Sequence, residues 1–201
     1  MRSNLPPRAD VTRLSPTDRL VGLPAFHLRD ARDGRAPQLA TAVRLGARGG
    51  SLLVRFDGRD HGIVATLTRR DDPLWKEDVF EVFLSPEDPP RVYFEFEVNP
   101  LGTLFDARVE SPDGRRDTMR VDVGWDCPGF SARVRRREGR WSALLTIPLA
   151  PMAPGGPDVW RANFYRIDRG ASDEYSAWSP TGADPPDFHR PERFGFLRLP
   201  E

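Results

Sequence analysis

Residues 78–84, DVFEVFL, and 91–99, RVYFEFEVN, decide the fold. Successive side chains of an extended chain point to opposite faces, so hydrophobic period 2 marks a strand with one buried side. In the second stretch Val92, Phe94, Phe96 and Val98 share one side, while Arg91, Tyr93, Glu95, Glu97 and Asn99 share the other. In the first, Phe80, Val82 and Leu84 form the apolar side and Glu81 points the opposite way. The apolar sides are expected to meet a second layer, leaving the polar sides to water or a groove. SPEDPP, between the two, carries turn chemistry.

Outward from this pair the pattern repeats. Gln38–Leu45 and Ser51–Asp57 flank an ARGG turn. Thr103–Val109 follows a PLG turn, and Ser131–Arg137 and Arg140–Ile147 surround an EG turn. Val159–Asp168, Glu174–Trp178 and Arg193–Leu199 complete the set. In Val159–Asp168, Trp160, Ala162 and Phe164 read as core and Arg161, Asn163 and Tyr165 as the opposite face. Proline supplies 21 of 201 residues, about twice the usual ~5 %, which favours turns over long helices. About ten short strands at this spacing predict an all-β fold: a single-domain antiparallel β-sandwich, immunoglobulin- or jelly-roll-like, with a closed barrel as the rival. Residues 1–20 read as a flexible N-terminal arm and 21–201 as the sandwich.

Lys+Arg and Asp+Glu both number 30. A chain of zero net charge has no global basic field, which speaks against nucleic acid as a partner. The basic run Arg133–Arg140 is expected to be a solvated hairpin face. No apolar run is long enough to span a bilayer as a helix, so no membrane partner is expected. The first residues lack the apolar core of a secretory signal; the chain as written is expected in the cytoplasm, or exported if its true start lies upstream. Oligomeric state is not readable. Cys127, the sole cysteine, allows no internal disulfide and reads as a bystander thiol. Nucleotide-binding, serine-hydrolase and zinc-protease motifs are absent.

Chemistry concentrates in Thr68–Leu84, TRRDDPLWKEDVFEVFL, where Trp75 sits among charged neighbours just before a strand. Trp178, in EYSAWSPTG, again stands between a strand and a Pro/Gly loop, whereas Trp141 and Trp160 lie in apolar alternation and read as core. Two exposed indoles suit a sugar, whose axial hydrogens pack on an aromatic face while its hydroxyls need donors and acceptors at the edge. The plainer alternative is that both rings cap the ends of the sandwich. If the strands above share a sheet, its non-core face gathers Glu81, Glu95, Asn99, Arg161 and Asn163 into a polar floor.

DDPLWKEDVFEVFL, YFEFEVNPLGTLFDA, WRANFYRID and WSPTG…FHRPERFGFLRL together resemble the family 9 carbohydrate-binding modules, and more closely the stand-alone family 9-like proteins of the DOMON superfamily, from about Phe26 to Leu199. That resemblance implies a β-sandwich that clamps a terminal glucose, cellobiose or xylose-type unit without catalysis. It would make Trp75 and Trp178 the clamp, with Lys76, Glu77 and Glu81 close by, and would set Glu95, Asn99, Arg161 and Asn163 to bind hydroxyls. Such modules are normally attached to secreted glycosidases. Some carry structural calcium; FDGRD, with Asp57 and Asp60, is the nearest acidic loop, a small donor set for an ion that takes 6–8 oxygens. No metal and no cofactor are therefore expected.

Two other classes stay open. A glycoside hydrolase would use paired carboxylates, with Glu81 and Glu95 or Glu97 as the pair. A haem-binding DOMON-type protein would need axial Met or His ligands, for which Met119, Met152, His27, His61 and His189 are the internal supply.

Overall fold

The computed structural model describes residues 5–170 and 172–200. Fifteen strands run in chain order. The short opening ones are β1 (Arg8–Asp10), β2 (Thr12–Arg13), β3 (Phe26–His27) and β4 (Arg29–Asp30). The long central ones are β5 (Thr41–Arg48), β6 (Ser51–Arg59), β7 (Val79–Ser85), β8 (Val92–Val98) and β9 (Leu104–Glu110). After β10 (Arg120–Asp122) follow β11 (Ser131–Arg137), β12 (Arg140–Pro148), β13 (Val159–Asp168), β14 (Glu174–Ala177) and β15 (Gly195–Arg198). Every strand expected from alternation is present. The additional ones have two or three residues, too few to show a period.

The strands form two sheets. One runs β1-β15-β13-β7-β8-β9-β10, with β14 and β4 extending from β13; the other runs β11-β12-β6-β5-β2, with β3 beside β5. Nearly all pairings are antiparallel, but β1 joins β15 and β2 joins β5 in parallel. Residues 8–14 therefore stitch the chain start to both sheets, and Val11 and Leu14 are buried. The expected arm at 1–20 is corrected for residues 8–14: the strands there are too short to show alternation, yet Val11 and Leu14 pack into the sandwich edge. Residues 1–4 lie outside the described residues.

Phe80, Val82, Leu84, Phe94, Phe96, Val98, Trp160, Ala162 and Phe164 all enter the inter-sheet core, as the period-2 reading requires. There Phe80 stacks between Phe56 and Trp141, with ring centroids 4.7 and 3.7 Å away. The opposite face of the nine-stranded sheet does not face water. Leu74, Phe188 and Phe194, from loops and the C-terminal segment, pack on Phe83, Tyr93, Phe105 and Tyr165 of the sheet to form a second apolar layer. Glu97, Asn99 and Asn163 are fully buried beneath that layer. The expectation of a solvated or open polar face fails because alternation within a strand cannot report what lands on its second side.

Candidate functional site

The covered face opens at a pocket of about 410 Å³ above β7, β8 and β9. Glu81 and Glu95 rise from neighbouring strands into it. Its other walls come from Trp75, in the single 3-10 turn 74–76 before β7, from Arg116 to Val123 after β9, from Tyr175 on β14, and from the loop 186–189.

Trp75 keeps 40 % of its surface exposed and stands edge-on to Phe105 at 5.3 Å, 76° between planes. Arg169 fixes it from behind, one guanidinium nitrogen donating to the Trp75 carbonyl at 2.7 Å and the other to the Tyr175 hydroxyl at 2.5 Å. Phe188 is locked by stacking on Tyr165 at 4.2 Å and by accepting the Tyr165 hydroxyl at its carbonyl. The pocket thus has an exposed indole, rigid aromatic walls and an acidic floor.

The floor is short of donors. Glu81 stands directly across from Glu97 in the β7–β8 register, and Glu95 lies two residues along the same face. One carboxylate oxygen from each of the three lies within 4.8 Å of the others. Glu81 Oε1 and both oxygens of Glu97 are buried without a hydrogen-bond partner. Burial, and then the neighbouring carboxylates, push Glu81 and Glu97 well above the usual glutamate range. His189 Nε2 lies 4.0 Å from Glu95 Oε2, yet burial pulls this imidazole below its ordinary value, leaving it neutral at pH 7. The two guanidinium groups on the pocket wall have acceptors of their own: Arg116 bonds Asp187 at 3.1 Å, and Arg169 also pairs with Asp173.

Of the nine residues expected at the site, the structure brings Trp75, Glu81 and Glu95 together. Lys76 is exposed just beyond Trp75. Glu77 turns away to accept from Thr66 N, Thr66 Oγ1 and Leu67 N, which anchors the loop under Trp75. The remaining four serve the fold. Asn99 staples the β8–β9 turn through Leu67 O, Leu101 N and Thr103 N. Asn163 bonds the Ser179 backbone in both directions. Arg161 donates to Phe194 O and pairs with Asp88 at 2.6 Å. Trp178 is only 8 % exposed and lies in the inter-sheet core against Phe26 and Phe164. A clamp made of Trp75 and Trp178 therefore does not form. They belong to opposite sides of one sheet, a relation that their strand-end positions could not reveal.

Sequence reading missed Arg116, Arg169, Tyr175, Asp187 and Phe188 on the pocket wall. Apart from Tyr175, on β14, they sit in turn-rich segments with no period, and chain folding alone brings them to β7 and β8. Met119 and His189, counted above in the supply of haem ligands, are wall residues as well. Both address one group: the Tyr93 hydroxyl lies 2.8 Å from His189 Nδ1 and 3.4 Å from Met119 Sδ.

The FDGRD loop does not fit a calcium shell. Asp57 is held by Arg55 at 2.6 Å and Arg44 at 3.1 Å, and Asp60 faces Arg166 at 3.3 Å. Asp60 does meet Asp78 and Asp168 in a buried acidic group, but the Arg166 guanidinium lies against Asp60 and Asp168 where a cation would go.

The sequence of residues 34–199 matches the family described as carbohydrate-binding family 9. An extracellular protein of Arthroderma benhamiae is 28 % identical over 138 residues; the match spans 63 % of this chain and 62 % of that protein. A Bacteroides uniformis protein described as a candidate carbohydrate-binding protein superposes with a TM-score of 0.76 at 20 % identity, covering 96 % of this chain and 99 % of its own. A family 9 carbohydrate-binding module from Caldicellulosiruptor kristjanssonii, solved with cellotriose, gives 0.66 at 15 % identity over 96 % and 93 % of the two chains. The same organism's family 9 module with glucose gives 0.63 at 15 % identity, covering 96 % of each. At these identities the structural likeness establishes the sandwich. Among the described residues no helix is long and apolar enough to cross a membrane.

Proposed function

The chain belongs to carbohydrate-binding family 9, and on that premise we propose that it holds a sugar unit reversibly in the pocket over Glu81 and Glu95, making and breaking no covalent bond. The observation that carries this reading is Trp75. A large apolar ring left 40 % exposed beside buried carboxyls gives a pyranose a flat face to pack on and acceptors for its hydroxyls. The aromatic walls and the anchored backbone of Trp75 make the site preformed, which lowers the ordering cost of binding. The sugars held by the family 9 modules with glucose and cellotriose make glucose-type units the first ligands to examine. The extracellular relative favours the exported alternative over a cytoplasmic location.

A hydrolytic role fits this floor poorly. Glycosidases place their two carboxyl groups on either side of the scissile bond, whereas Glu81 and Glu95 rise side by side from one sheet face.

Calorimetric titration with glucose, cellobiose, xylose and soluble glucans tests the proposal. Saturable heat is expected for at least one of them, and Trp75→Ala is expected to weaken that affinity by about tenfold or more, ~1.4 kcal/mol. A flat response to every sugar from folded protein, or unchanged affinity in the variant, removes this reading. Reducing ends released from the glucans would replace binding with hydrolysis.

A further inference from the structure

The acidic floor asks for something a neutral sugar does not bring. Each hydroxyl of a sugar can donate one hydrogen bond, but it adds no positive charge. The floor presents three carboxyl groups in a 4.8 Å cluster; as carboxylates three of their oxygens have no partner, and a proton on Glu97 bridges it to Glu95. Glu81 is 2 % exposed and its orphan Oε1 belongs to a side chain that lines the pocket. The Arg169 charge pulls Glu81 down, but burial outweighs it. Arg116 is occupied by Asp187, Arg169 by Asp173, Tyr175 and the Trp75 carbonyl, and His189 is neutral. Tyr93, the remaining ionisable group beside His189, is held by burial in its neutral form.

The walls carry the second half of the argument. Trp75, Phe105, Tyr175 and Phe188 all line the pocket. Aromatic faces attract a cation through their quadrupole, most strongly where water is excluded. Aromatic walls over a carboxylate floor suit an organic ammonium, which has an apolar body and up to three N–H donors. A bare divalent ion would leave the indole and phenyl surfaces without a role.

We propose that this pocket selects an amino sugar, a pyranose bearing a free primary ammonium, over its neutral counterpart, with Trp75 against the ring and the ammonium donating to Glu81 and Glu95 while Glu97 lies behind them. The proposal rests on the carbohydrate reading of the same pocket and names its ligand class. Burial holds Glu81 and Glu97 above the usual glutamate range when no cation is present, so an arriving ammonium displaces protons as it binds. Binding is then linked to pH: as pH rises the floor gives up its protons more readily, and affinity for the amino sugar rises.

Titration calorimetry on the full chain compares glucosamine, glucose and N-acetylglucosamine, the last keeping the ring and the nitrogen but losing the charge. Glucosamine is expected to bind at least about tenfold tighter than glucose, the scale of one charge-assisted hydrogen bond. N-acetylglucosamine is expected to lose that advantage. The ratio of glucosamine to glucose affinity should grow between about pH 5 and about pH 7, and heats in two buffers of different ionisation enthalpy should show protons released with glucosamine only. Glu95→Gln should move the ratio toward one. Since the wild-type pH series needs no variant, the test survives misfolding of that variant. Equal affinity for glucosamine and glucose overturns the amino-sugar proposal and leaves carbohydrate binding intact. Binding to none of the three overturns both. A sugar response that requires added calcium or manganese, and vanishes with chelator, makes the floor a metal site and overturns the ammonium.

Discussion

Trp178 and Trp75 show how much one residue's surroundings decide. Both stand where a strand meets a loop, yet one is a core residue and the other a pocket wall. Trp178 is held by a close approach: a Cβ at Gly195 would come within 2.4 Å of its ring and 2.7 Å of the Pro7 carbonyl. Removing the indole, in Trp178→Ala, is expected to destabilise the protein by about 3–5 kcal/mol, the usual cost of emptying a large core site, read as a lower urea midpoint. Sugar binding lost from a fully stable Trp178→Ala protein would instead return this ring to the site. Glu97 makes the complementary case. It is fully buried and its carboxyl is held well above the usual glutamate range, so Glu97→Gln, which needs no proton to be neutral, is expected to raise stability at about pH 8 by about 1 kcal/mol or more. The gain should vanish near pH 4, where the native carboxyl is already neutral. A variant less stable than wild type at both pH values would mean that the Glu97 carboxylate has a partner that matters to the fold.

At the scale of elements, the period-2 stretches named their own strands and their inward faces; β7, β8 and β13 place every expected core residue between the sheets. The two- and three-residue strands escape such reading, and β1 and β2 matter most among them. They lie parallel to β15 and β5 and bury Val11 and Leu14. A chain starting at residue 15 is expected to lose about 3 kcal/mol or more from those two side chains alone, with a lower midpoint in thermal melts. An unchanged midpoint would restore residues 1–14 to the status of a dispensable arm. Asn99, Arg161 and Asn163 were legible as polar positions on the correct face, but their work is to tie loops onto that face.

For the whole molecule, burial of carboxyl groups governs the response to pH. Burial raises Asp168 to about 7 and Asp106 to about 6 against the pull of Arg166 and Arg70, and lifts Glu81 and Glu97 as well. Between their ordinary values near ~4 and these raised ones, the native state binds more protons than the unfolded chain. Stability therefore falls as pH rises through that window. His189 opposes this, since an imidazole held neutral in the fold costs stability below its ordinary value, but it is one group against six raised carboxyls, Asp71 and Asp78 included. The urea midpoint is expected to be higher at about pH 5 than at about pH 8. A midpoint that climbs across this range would mean that these carboxyls are paired rather than desolvated.

The sequence by itself determined the architecture: alternation is a local property, so DVFEVFL and RVYFEFEVN state which side of each strand meets the core without reference to anything distant. It also supplied Trp75, Glu81 and Glu95, because an indole among charges and acids opposite an apolar stripe are local anomalies. What covers the second side of a sheet is not local. Only the tertiary structure sent Trp178 to the core, buried Glu97 among other carboxyls, and brought Arg116 and Phe188 to stand over β7 and β8, since those positions depend on loops that carry no period and meet the sheet only when the chain has folded.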